Sequence, residues 1–450
     1  MVDAGLTFTD DTIVAVATPP GRGGVGIVRV SGDRAAKIAK AIGGRVPPAR
    51  VATAATFRDA VGEAIDQGIM LYFAAPASFT GEDVLELHGH GGPVPMDMLV
   101  HSCIALGARL AMPGEFSKRA FLNNKIDLTQ AEAISDLIDS ASQQAARAAV
   151  RSLSGEFAKR IRMLVIALTE LRMYVEAAID FPEEEVDFLA DQEVQQRISS
   201  LERLFVNLQE DAQQGQLLRD GMVLVLAGPP NVGKSSLLNR LAGYDAAIVT
   251  ARPGTTRDVL REDLHLDGMP LRVIDTAGLH DSDDEIEKEG MRRAREAIQH
   301  ADHVLVLSDI SDVDAPSFTE NLPDGVPVTR VVNKIDLSPD TPPGNQGDAM
   351  LYVSAKSGAG IDSLKAHLAN VMGYSAVDGG KLIARRRHIH AIERAFAHMA
   401  LGRDALYNMK AGEIMAEELR LAQQCLGEIT GRFTSDDLLG QIFSRFCIGK

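Results

Sequence analysis

The sequence predicts a multidomain protein that combines α/β domains with an all-α domain. Three observations support this fold class. Residues 12–120 alternate strand-like and helix-like segments, residues 121–218 repeat apolar positions at helical spacing, and residues after 219 follow a strand–loop–helix order. The last order is typical of a parallel sheet with helices on its faces. A chain of 450 residues has room for two to four domains.

The N-terminal segment, residues 1–120, is predicted to form an α+β domain. Ile13–Ala17 and Val25–Val30 have the composition of strands, and a turn rich in proline and glycine separates them. Ile69–Phe73 and Val84–Leu87 are expected to be two further strands of the same domain.

Residues 121–218 are predicted to be the first part of a helical domain. Thr129 and Glu132 have the spacing of a capping box at its start. Helical spacing continues to Phe181-Pro182, with an expected break at Ser154-Gly155. A second helical stretch completes this part of the domain.

Helical spacing returns in residues 375–450, so the α/β domain of residues 219–374 is expected to be inserted into the helical domain. A surface loop is expected at residues 338–347, which are rich in proline and glycine. The buried strands of the inserted domain are predicted at Val223–Ala227, Leu271–Asp275, Val304–Ser308, Val328–Asn333 and Leu351–Ser354.

The formal net charge of −16 argues against a general attraction to nucleic acids or anionic membranes. Contact with nucleic acid then requires a local basic patch, for which Arg385-Arg386-Arg387-His388 is the best candidate; a solvated helix face is the ordinary alternative. No apolar run is long enough to span a bilayer, and the N-terminus lacks the regions of a signal peptide. We therefore expect a cytoplasmic protein without a membrane partner.

Three cysteines, Cys103, Cys425 and Cys447, match no zinc spacing and fit a reducing compartment. Cys447 lies beside glycine and lysine near the C-terminus, where a thiol can be reactive if its pKa is lowered. A small packing cysteine is the commoner case, and this is the interpretation that the sequence favours.

A phosphate-binding loop runs from Gly228 to Ser235, between an apolar strand and a predicted helix. Its glycines allow backbone N–H groups to approach phosphates, and the helix N-terminus adds positive potential. Lys234 is expected to contact the β- and γ-phosphates, and Ser235 to ligate Mg²⁺.

Four further segments occur in the order that a Ras-like GTPase requires: Gly254–Asp258, Asp275–Gly278, Asn333–Asp336 and Ser354–Lys356. They offer Thr256 for Mg²⁺ and an aspartate that can hold Mg²⁺ through water. The Asp336 carboxylate can accept hydrogen bonds from two N–H groups of guanine, which adenine cannot offer, so the set indicates GTP rather than ATP. The nucleotide-binding residues predicted from these motifs are Asn231, Val232, Gly233, Lys234, Ser235, Ser236, Gly254, Thr255, Thr256, Asp275, Thr276, Ala277, Gly278, Asn333, Lys334, Asp336, Ser354, Ala355 and Lys356.

Leu279 stands where Ras-like enzymes have the glutamine that orients the attacking water. Another group must therefore orient this water. The acidic segment Asp281–Glu289 contains several carboxylates that can do so, although a solvated loop is the ordinary interpretation of such a charge run. Asn231 supplies an oxygen close to the phosphates.

The chain resembles the MnmE (TrmE) family of tRNA-modification GTPases over its full length. In addition to the GTPase motifs, the resemblance rests on Thr18–Gly26, Phe79–Gly92, Pro113–Phe116, Ala177–Pro182 and the terminal Cys447–Lys450. It implies that residues 1–120 are a dimer-forming module similar to folate-dependent aminomethyltransferases. By motif position, Arg29, Glu86, Lys125 and Lys450 would contact 5-formyl-tetrahydrofolate or a related folate. From the residues alone, these four are ordinary surface charges.

The resemblance also implies a K⁺ ion that supplies the positive charge of an arginine finger. Its ligands would be Asn231, Thr250, Arg252 and Thr255, and Ala251, Pro253 and their neighbours would contact the nucleotide. Arg252 is an unusual ligand, although backbone carbonyls bind K⁺ whatever the side chain. Glu287 matches the water-orienting glutamate, which gives Glu287, Asn231 and Lys234 as the catalytic residues.

The implied function is addition of a carboxymethylaminomethyl or aminomethyl group to C5 of the wobble uridine, position 34, of certain tRNAs. The implied partners are a second copy of the chain and the flavoprotein GidA (MnmG), with GTP hydrolysis accompanying pairing of the two GTPase domains. Two alternatives are a GTPase switch of ribosome assembly and a folate-dependent transferase with a regulatory GTPase domain.

Overall fold

The computed structural model describes most of the chain. The described residues are 11–140, 142–180, 192–229, 231–245, 261–266, 269–275, 301–311, 326–338, 340–345, 350–371, 382–432, 436–444 and 446–449. The chain divides into two compact units. Unit one contains Met1–Ser135, Leu153–Val165 and Gln423–Lys450, and unit two contains Asp136–Ser152 and Ile166–Ala422.

Unit one contains a six-stranded sheet. Its strands are β1 Thr12–Val16, β2 Gly23–Ser31, β3 Thr53–Arg58, β4 Ala64–Phe73, β5 Val84–Gly91 and β6 Ala108–Leu110, in the spatial order β3-β4-β5-β2-β1-β6. All neighbouring strands are antiparallel except β1 and β6. The four predicted strands are confirmed. The sequence did not predict β3 and β6, because β3 has one large apolar residue, Phe57, and β6 has three residues in all.

The core of this sheet is shared with two helices, α1 Ala35–Gly43 and α2 Pro93–Ala105. Apolar side chains of the strands and both helices form one buried cluster that includes Val28, Val30, Ile38, Phe57, Leu85 and Leu99. Burial of each such side chain stabilises the fold by roughly 1.5–3 kcal/mol relative to exposure. The strands that carry the site residues therefore rest on a packed layer.

The next helices among the described residues are α3 Glu115–Leu122, α4 Leu128–Ile138, α5 Gln143–Leu153, α6 Glu156–Asp180 and α7 Gln192–Asp220. The predicted break at Ser154-Gly155 is confirmed, since α5 ends and α6 begins there, and Gly155 has a left-handed φ of 85°. Among the described residues, no helix has the length and apolar character needed to cross a membrane.

The capping box of α4 lies two residues before the predicted one. The Gln130 N–H donates to Asp127 Oδ1 at 3.0 Å, and the Asp127 N–H donates to Gln130 Oε1 at 3.0 Å. Thr129 lies inside the first turn, where its hydroxyl donates to the Asp127 carboxylate at 2.6 Å. The Thr129–Glu132 prediction was wrong because two capping patterns overlap, and Asp127 is the residue that precedes the first helical turn.

The described part of unit two contains a seven-stranded sheet. Its strands are β7 Met222–Ala227, β8 Arg261–Leu266, β9 Met269–Asp275, β10 His303–Asp309, β11 Val328–Asn333, β12 Gly344–Asn345 and β13 Met350–Tyr352, in the order β12-β13-β11-β10-β7-β9-β8. Strands β13, β11, β10, β7 and β9 are parallel to one another, and the edge strands β12 and β8 pair antiparallel with β13 and β9. The predicted parallel sheet is confirmed. The two residues of β12 lie in the predicted surface loop, which corrects that prediction.

The remaining described helices are α8 Lys234–Asp245, α9 Ile361–Val371, α10 Arg386–Met409, α11 Gly412–Thr430 and α12 Asp436–Ser444. Helix α8 follows β7 after a short loop, and buried side chains of both elements join the core of the sheet. Because β7, β10 and β11 are parallel, their carboxyl ends meet at one edge, and the loops there are the expected ligand-binding loops.

Asp136 binds two arginines, one that precedes the seven-stranded sheet in sequence and one that follows it. It is 7% exposed, and its Oδ1 accepts hydrogen bonds from Arg219 Nε at 2.8 Å and Arg385 Nη2 at 2.8 Å. Arg219 lies just before β7, and Arg385 lies just before α10. Within the candidate basic patch at 385–388, Arg385 is paired with Asp136 and His388 is 2% exposed, whereas Arg386 is exposed, so part of the run is not at the surface as the sequence suggests.

Two histidines, the buried His303 of β10 and the half-buried His367 of α9, share one threonine hydroxyl. The Thr329 hydroxyl lies 2.8 Å from His303 Nε2 and 2.7 Å from His367 Nε2, and it joins β10, β11 and α9. His303 is 1% exposed. Burial, together with the nearby His367, lowers the pKa of His303 to about 4, and burial also lowers the pKa of His367.

We predict that acid destabilises unit two through His303. The unfolded state binds this proton near the ordinary histidine pKa of 6.5, whereas the folded state binds it near 4, so stability is complete above pH 6.5 and falls as the pH drops towards 4. The loss is at most about 3 kcal/mol. The urea midpoint, followed by circular dichroism at pH 7.5 and 5, should fall less in His303→Gln than in wild type. The exposed His390→Gln variant should keep the wild-type pH dependence; an equal fall in all three proteins contradicts the prediction.

Candidate functional site

The phosphate loop lies between β7 and α8, at the carboxyl edge of the parallel strands. Two glycines are required by its shape. Gly228 has a φ of 147°, and a Cβ there would lie 2.4 Å from the Leu307 carbonyl oxygen. Gly233 has a φ of 96°, and a Cβ there would lie 2.3 Å from Asn333 Nδ2. The loop therefore presses against β10 and the end of β11 at positions that only glycine can fill.

Lys234 is the first residue of α8 and is 6% exposed. Its ammonium group donates to the Gly228 carbonyl at 2.6 Å and to the Pro229 carbonyl at 3.1 Å, so it is held over the loop. The N-terminus of α8 lies at the same place, and its free N–H groups favour an anion. The hydroxyl-bearing residues Ser235 and Ser236 follow in the first turn and are exposed.

Asn333 joins three segments of the site. It is the last residue of β11 and is 2% exposed. Its Nδ2 donates to the Val232 carbonyl in the phosphate loop at 2.9 Å, and its Oδ1 accepts from the Ala355 N–H at 3.0 Å. The structure therefore brings together the phosphate loop, the Asn333–Asp336 segment and the Ser354–Lys356 segment, as the sequence order predicted.

Asp336 is exposed, and its carboxylate is held from one side. Its Oδ1 accepts a hydrogen bond from the Ser354 hydroxyl at 2.6 Å. Lys334, with a left-handed φ of 66°, turns the chain between Asn333 and Asp336. An aspartate fixed in this way can present its carboxylate to two parallel N–H groups of a planar base.

Two residues that support the site, Asp309 and Arg240, were not predicted from the sequence. The Lys334 ammonium lies 2.6 Å from Asp309 Oδ2, and this hydrogen bond holds the pKa of Asp309 below its usual value. Arg240 of α8 donates to the Ala355 carbonyl at 2.9 Å and to the Lys356 carbonyl. Asp309 is the last residue of β10 and lies beside the end of β11. A polar residue at the carboxyl end of a parallel strand is a candidate site residue, and this position could have identified Asp309 from the sequence.

Several predicted site residues lie outside the described residues. These are the segment with Thr250, Ala251, Arg252, Pro253, Gly254, Thr255 and Thr256, the residues Thr276, Ala277 and Gly278, the proposed catalytic Glu287, and Lys450. For Asp275 the structure gives the backbone, which pairs with Leu226 at the end of β7. Asp275 thus ends a strand directly beside the phosphate loop, where a ligand of Mg²⁺ is expected.

A second group of predicted residues meets in unit one. Arg29 in β2 faces Glu86 in β5, with Arg29 Nε 3.0 Å and Nη2 2.9 Å from Glu86 Oε1. The guanidinium lies 5.8 Å from the Phe116 ring centroid and 6.0 Å from that of Phe79. Its Nη1 also donates to the Gly449 carbonyl at 3.4 Å. The C-terminal residues therefore lie beside Arg29 and Glu86.

Lys125 does not contact Arg29 or Glu86 directly. Its ammonium donates to the Pro76 carbonyl at 2.8 Å, in the loop that also carries Phe79. Cys447 is exposed, whereas Cys103 and Cys425 are buried, so the interpretation of Cys447 as a packing cysteine was wrong. Its carbonyl accepts from the Gly114 N–H at 3.3 Å, which fixes the backbone and leaves the thiol at the surface.

The fold and the site define a phosphate-loop protein of the G-domain class, combined with a separate α+β sheet and a set of long helices. Residues 12–125 match the family profile described as GTP-binding protein TrmE N-terminus, and residues 128–447 match the MnmE helical domain. The chain belongs to the MnmE family.

Two full-length relatives are close in sequence. The tRNA modification GTPase MnmE of Erwinia tasmaniensis is 55% identical over 450 residues, covering 98% of this chain and 99% of the relative. The protein of the same name from Alkalilimnicola ehrlichii is 58% identical over 441 residues, again covering 98% and 99%. A solved structure of Era from Aquifex aeolicus bound to GDP and AlF4⁻ has a TM-score of 0.27 and 22% identity, over 40% of this chain and 67% of that chain.

We predict that Asp336→Asn weakens GTP binding by about ten- to a hundredfold, because a charge-assisted hydrogen bond contributes roughly 1.5–3 kcal/mol. The Ser354 hydroxyl can still reach the amide oxygen, so the segment should keep its shape. Affinity is measured with a fluorescent GTP analogue. Asp340→Asn, an exposed aspartate outside the site, serves as the control. Equal affinity in the two variants contradicts a base-reading role for Asp336.

Proposed function

We propose that this chain is an enzyme that hydrolyses GTP in the modification of tRNA. The observation that carries the proposal is the pair of hydrogen bonds made by the Asn333 side chain. They join the phosphate loop to the segments that hold the guanine-reading aspartate. Membership of the MnmE family, whose full-length relatives are named tRNA modification GTPases, supports the RNA part of the proposal.

The proposed division of labour follows the chain. Residues 219–374 bind and hydrolyse GTP, and residues 121–218 and 375–450 form the helical domain on either side. Residues 1–120 form a folate-binding module that pairs with a second copy of the chain. In this proposal the homodimer works with the flavoprotein GidA (MnmG) to add a carboxymethylaminomethyl or aminomethyl group to C5 of uridine 34.

GTP hydrolysis requires that growing negative charge on the phosphates be offset. Lys234 and the N–H groups at the start of α8 lie where they can contact the phosphates. Ser235, Thr256 and Asp275 are the proposed ligands of Mg²⁺, which neutralises phosphate charge when bound. Glu287 is proposed to orient the attacking water, since Leu279 offers no polar group.

The direct test of this function is nucleoside analysis of tRNA. Cells that lack the protein should lose the modified uridine at position 34, and wild-type protein should restore it. Lys234→Ala should not restore it, because phosphate contact is lost. Unchanged wobble uridines in the deletion strain contradict the proposed function.

Potassium is proposed to act as a second cation in hydrolysis, with Asn231, Thr250, Arg252 and Thr255 as its ligands. The geometry of Asn231 supports this role. It has a left-handed φ of 61°, it is exposed beside the phosphate loop glycine, and its side chain makes no hydrogen bond within the part of the chain that the structure describes. An amide oxygen in this position is available to a cation near the phosphates.

We predict that replacing Na⁺ by K⁺ raises the GTP hydrolysis rate by at least tenfold, since one charge at the transition state can contribute more than about 1.4 kcal/mol. Asn231→Ala should lose the response to K⁺ and keep GTP binding. Hydrolysis is measured by phosphate release in matched KCl and NaCl. Equal rates of the wild-type protein in the two salts contradict the potassium proposal.

The folate proposal for unit one rests on Arg29 and Glu86. The two side chains form an ion pair beside two aromatic rings and the C-terminal backbone, which gives charged and flat apolar surfaces at one place. A folate has a flat heteroaromatic ring with hydrogen-bonding edges, and this combination suits it. Lys125 and Lys450 complete the proposed set.

We predict that 5-formyl-tetrahydrofolate binds the wild-type protein and that Arg29→Ala weakens this binding by tenfold or more, because the guanidinium is lost and Glu86 loses its arginine partner. Isothermal titration measures both affinities. Arg58→Ala, an exposed arginine in β3 of the same sheet, should bind as wild type does. Equal binding by Arg29→Ala and Arg58→Ala contradicts the folate site.

A further inference from the structure

Unit one holds a pocket of about 500 Å³ on its helical side. Four structural elements line it: the connection between α3 and α4, helix α6, the end of α11 and helix α12. Phe121 and Leu439 give it an apolar floor, and both belong to the cluster beneath it. The rim carries three basic residues, Lys125, Arg162 and Arg432.

The position of Arg432 is fixed by the end of α11. Gly431 has a left-handed φ of 87°, and the Arg432 N–H donates to the Gly427 carbonyl at 3.0 Å, which is the hydrogen bond of a Schellman motif. A Cβ on Gly431 would lie 2.6 Å from the Phe121 ring, so glycine is required there. The chain thus turns sharply and places Arg432 at the pocket.

Positive charge at this rim exceeds negative charge. Among the described residues that line the pocket, Asp127 is the one carboxylate; it caps α4 and lies 3.8 Å from Arg162, which makes a loose ion pair. Lys125 donates to a backbone carbonyl, which leaves its charge uncompensated. In the described part of the chain, the Arg432 guanidinium has neither a hydrogen-bond acceptor nor a carboxylate partner.

We propose that this pocket binds phosphodiester groups of the tRNA substrate, principally through Arg162 and Arg432. The proposal rests on the tRNA-modification function proposed above. A protein of net charge −16 repels RNA over most of its surface, so contact must occur where cations outnumber acids. An arginine fork matches two phosphate oxygens, and the exposed amide of Asn124 and the half-buried hydroxyl of Thr430 can accept or donate to neighbouring ribose groups.

The competing candidate on the same chain is weaker. Within the run Arg385–His388, which the sequence singled out, Arg385 is neutralised by Asp136 and His388 is buried in the helix cap, so half of the run is not available to an anion. An arginine already bound to a carboxylate gives up that bond when it binds phosphate, which cancels most of the gain. Within the described ranges, Arg432 has no carboxylate bond to give up.

The test compares two double variants with the same change in charge. Arg162→Glu/Arg432→Glu alters the pocket, and Arg45→Glu/Arg58→Glu alters two exposed arginines elsewhere in unit one. Binding of fluorescein-labelled tRNA to the full chain is measured by anisotropy at KCl concentrations from roughly 50 to 200 mM. The pocket variant should bind at least tenfold more weakly. Its plot of log affinity against log salt should be shallower by about 1 to 2, because each phosphate contact contributes roughly 0.9 to this slope.

A charge-preserving variant, Arg162→Lys/Arg432→Lys, guards against a folding defect and should keep most of the affinity and the salt slope. Equal tRNA binding by the two glutamate variants overturns the proposal, and so does the absence of tRNA binding by the wild-type protein. Loss of binding to an acidic peptide with tRNA affinity intact would show that the pocket takes a protein partner and would overturn it as well.

The basal GTP hydrolysis rate should be the same in all variants. Absence of hydrolysis in wild type counts against the proposed function and leaves the binding comparison intact.

Discussion

The buried side chain of Asn333 holds the candidate nucleotide site in register. The Asn333 amide donates to the phosphate loop on one side and accepts from the backbone after β13 on the other, and both hydrogen bonds are buried away from water. Shielding matters because a buried amide that loses a partner costs roughly 1–3 kcal/mol. The loop can approach this closely because residue 233 is a glycine, whose missing Cβ leaves room for Asn333 Nδ2. Phosphate binding and base reading therefore depend on one contact.

Asp136 is a second buried side chain that joins segments far apart in sequence. Its carboxylate takes hydrogen bonds from Arg219 and Arg385, the residues that flank the seven-stranded sheet in sequence. The Ile383 N–H donates to the Ser152 hydroxyl at 3.1 Å, which ties the returning chain to α5 as well. Because the two arginines share one acceptor, the end of α7 and the start of α10 are held together at Asp136.

The sequence predicted the parts of this protein that depend on local pattern. Glycine spacing, apolar strands and the order of the motifs located the phosphate loop, the base-reading segment and most strands, because each is decided within a few residues. Long-range pairing was not predictable in this way. Arg385 looks like a free cation in sequence, and its partner Asp136 is 249 residues away. The prediction of the α4 cap failed for a different reason. Asp127–Gln130 and Thr129–Glu132 both have the spacing of a capping box, and only the position of the first helical turn distinguishes them.

The arginines and lysines of unit one fall into two groups that differ in what neutralises them. Arg119 is bound by Asp11, Glu82 and Glu115, and its charge serves the packing of the strands and α3. Lys125 meets a carbonyl, and Arg432 has no carboxylate partner among the described residues. A cation of the first kind loses an existing ion pair when it binds an anion, whereas a cation of the second kind gains one. Arg432 and Lys125 are of the second kind and lie with Arg162 at the rim of one pocket, so a phosphate bound there displaces no carboxylate from either of them.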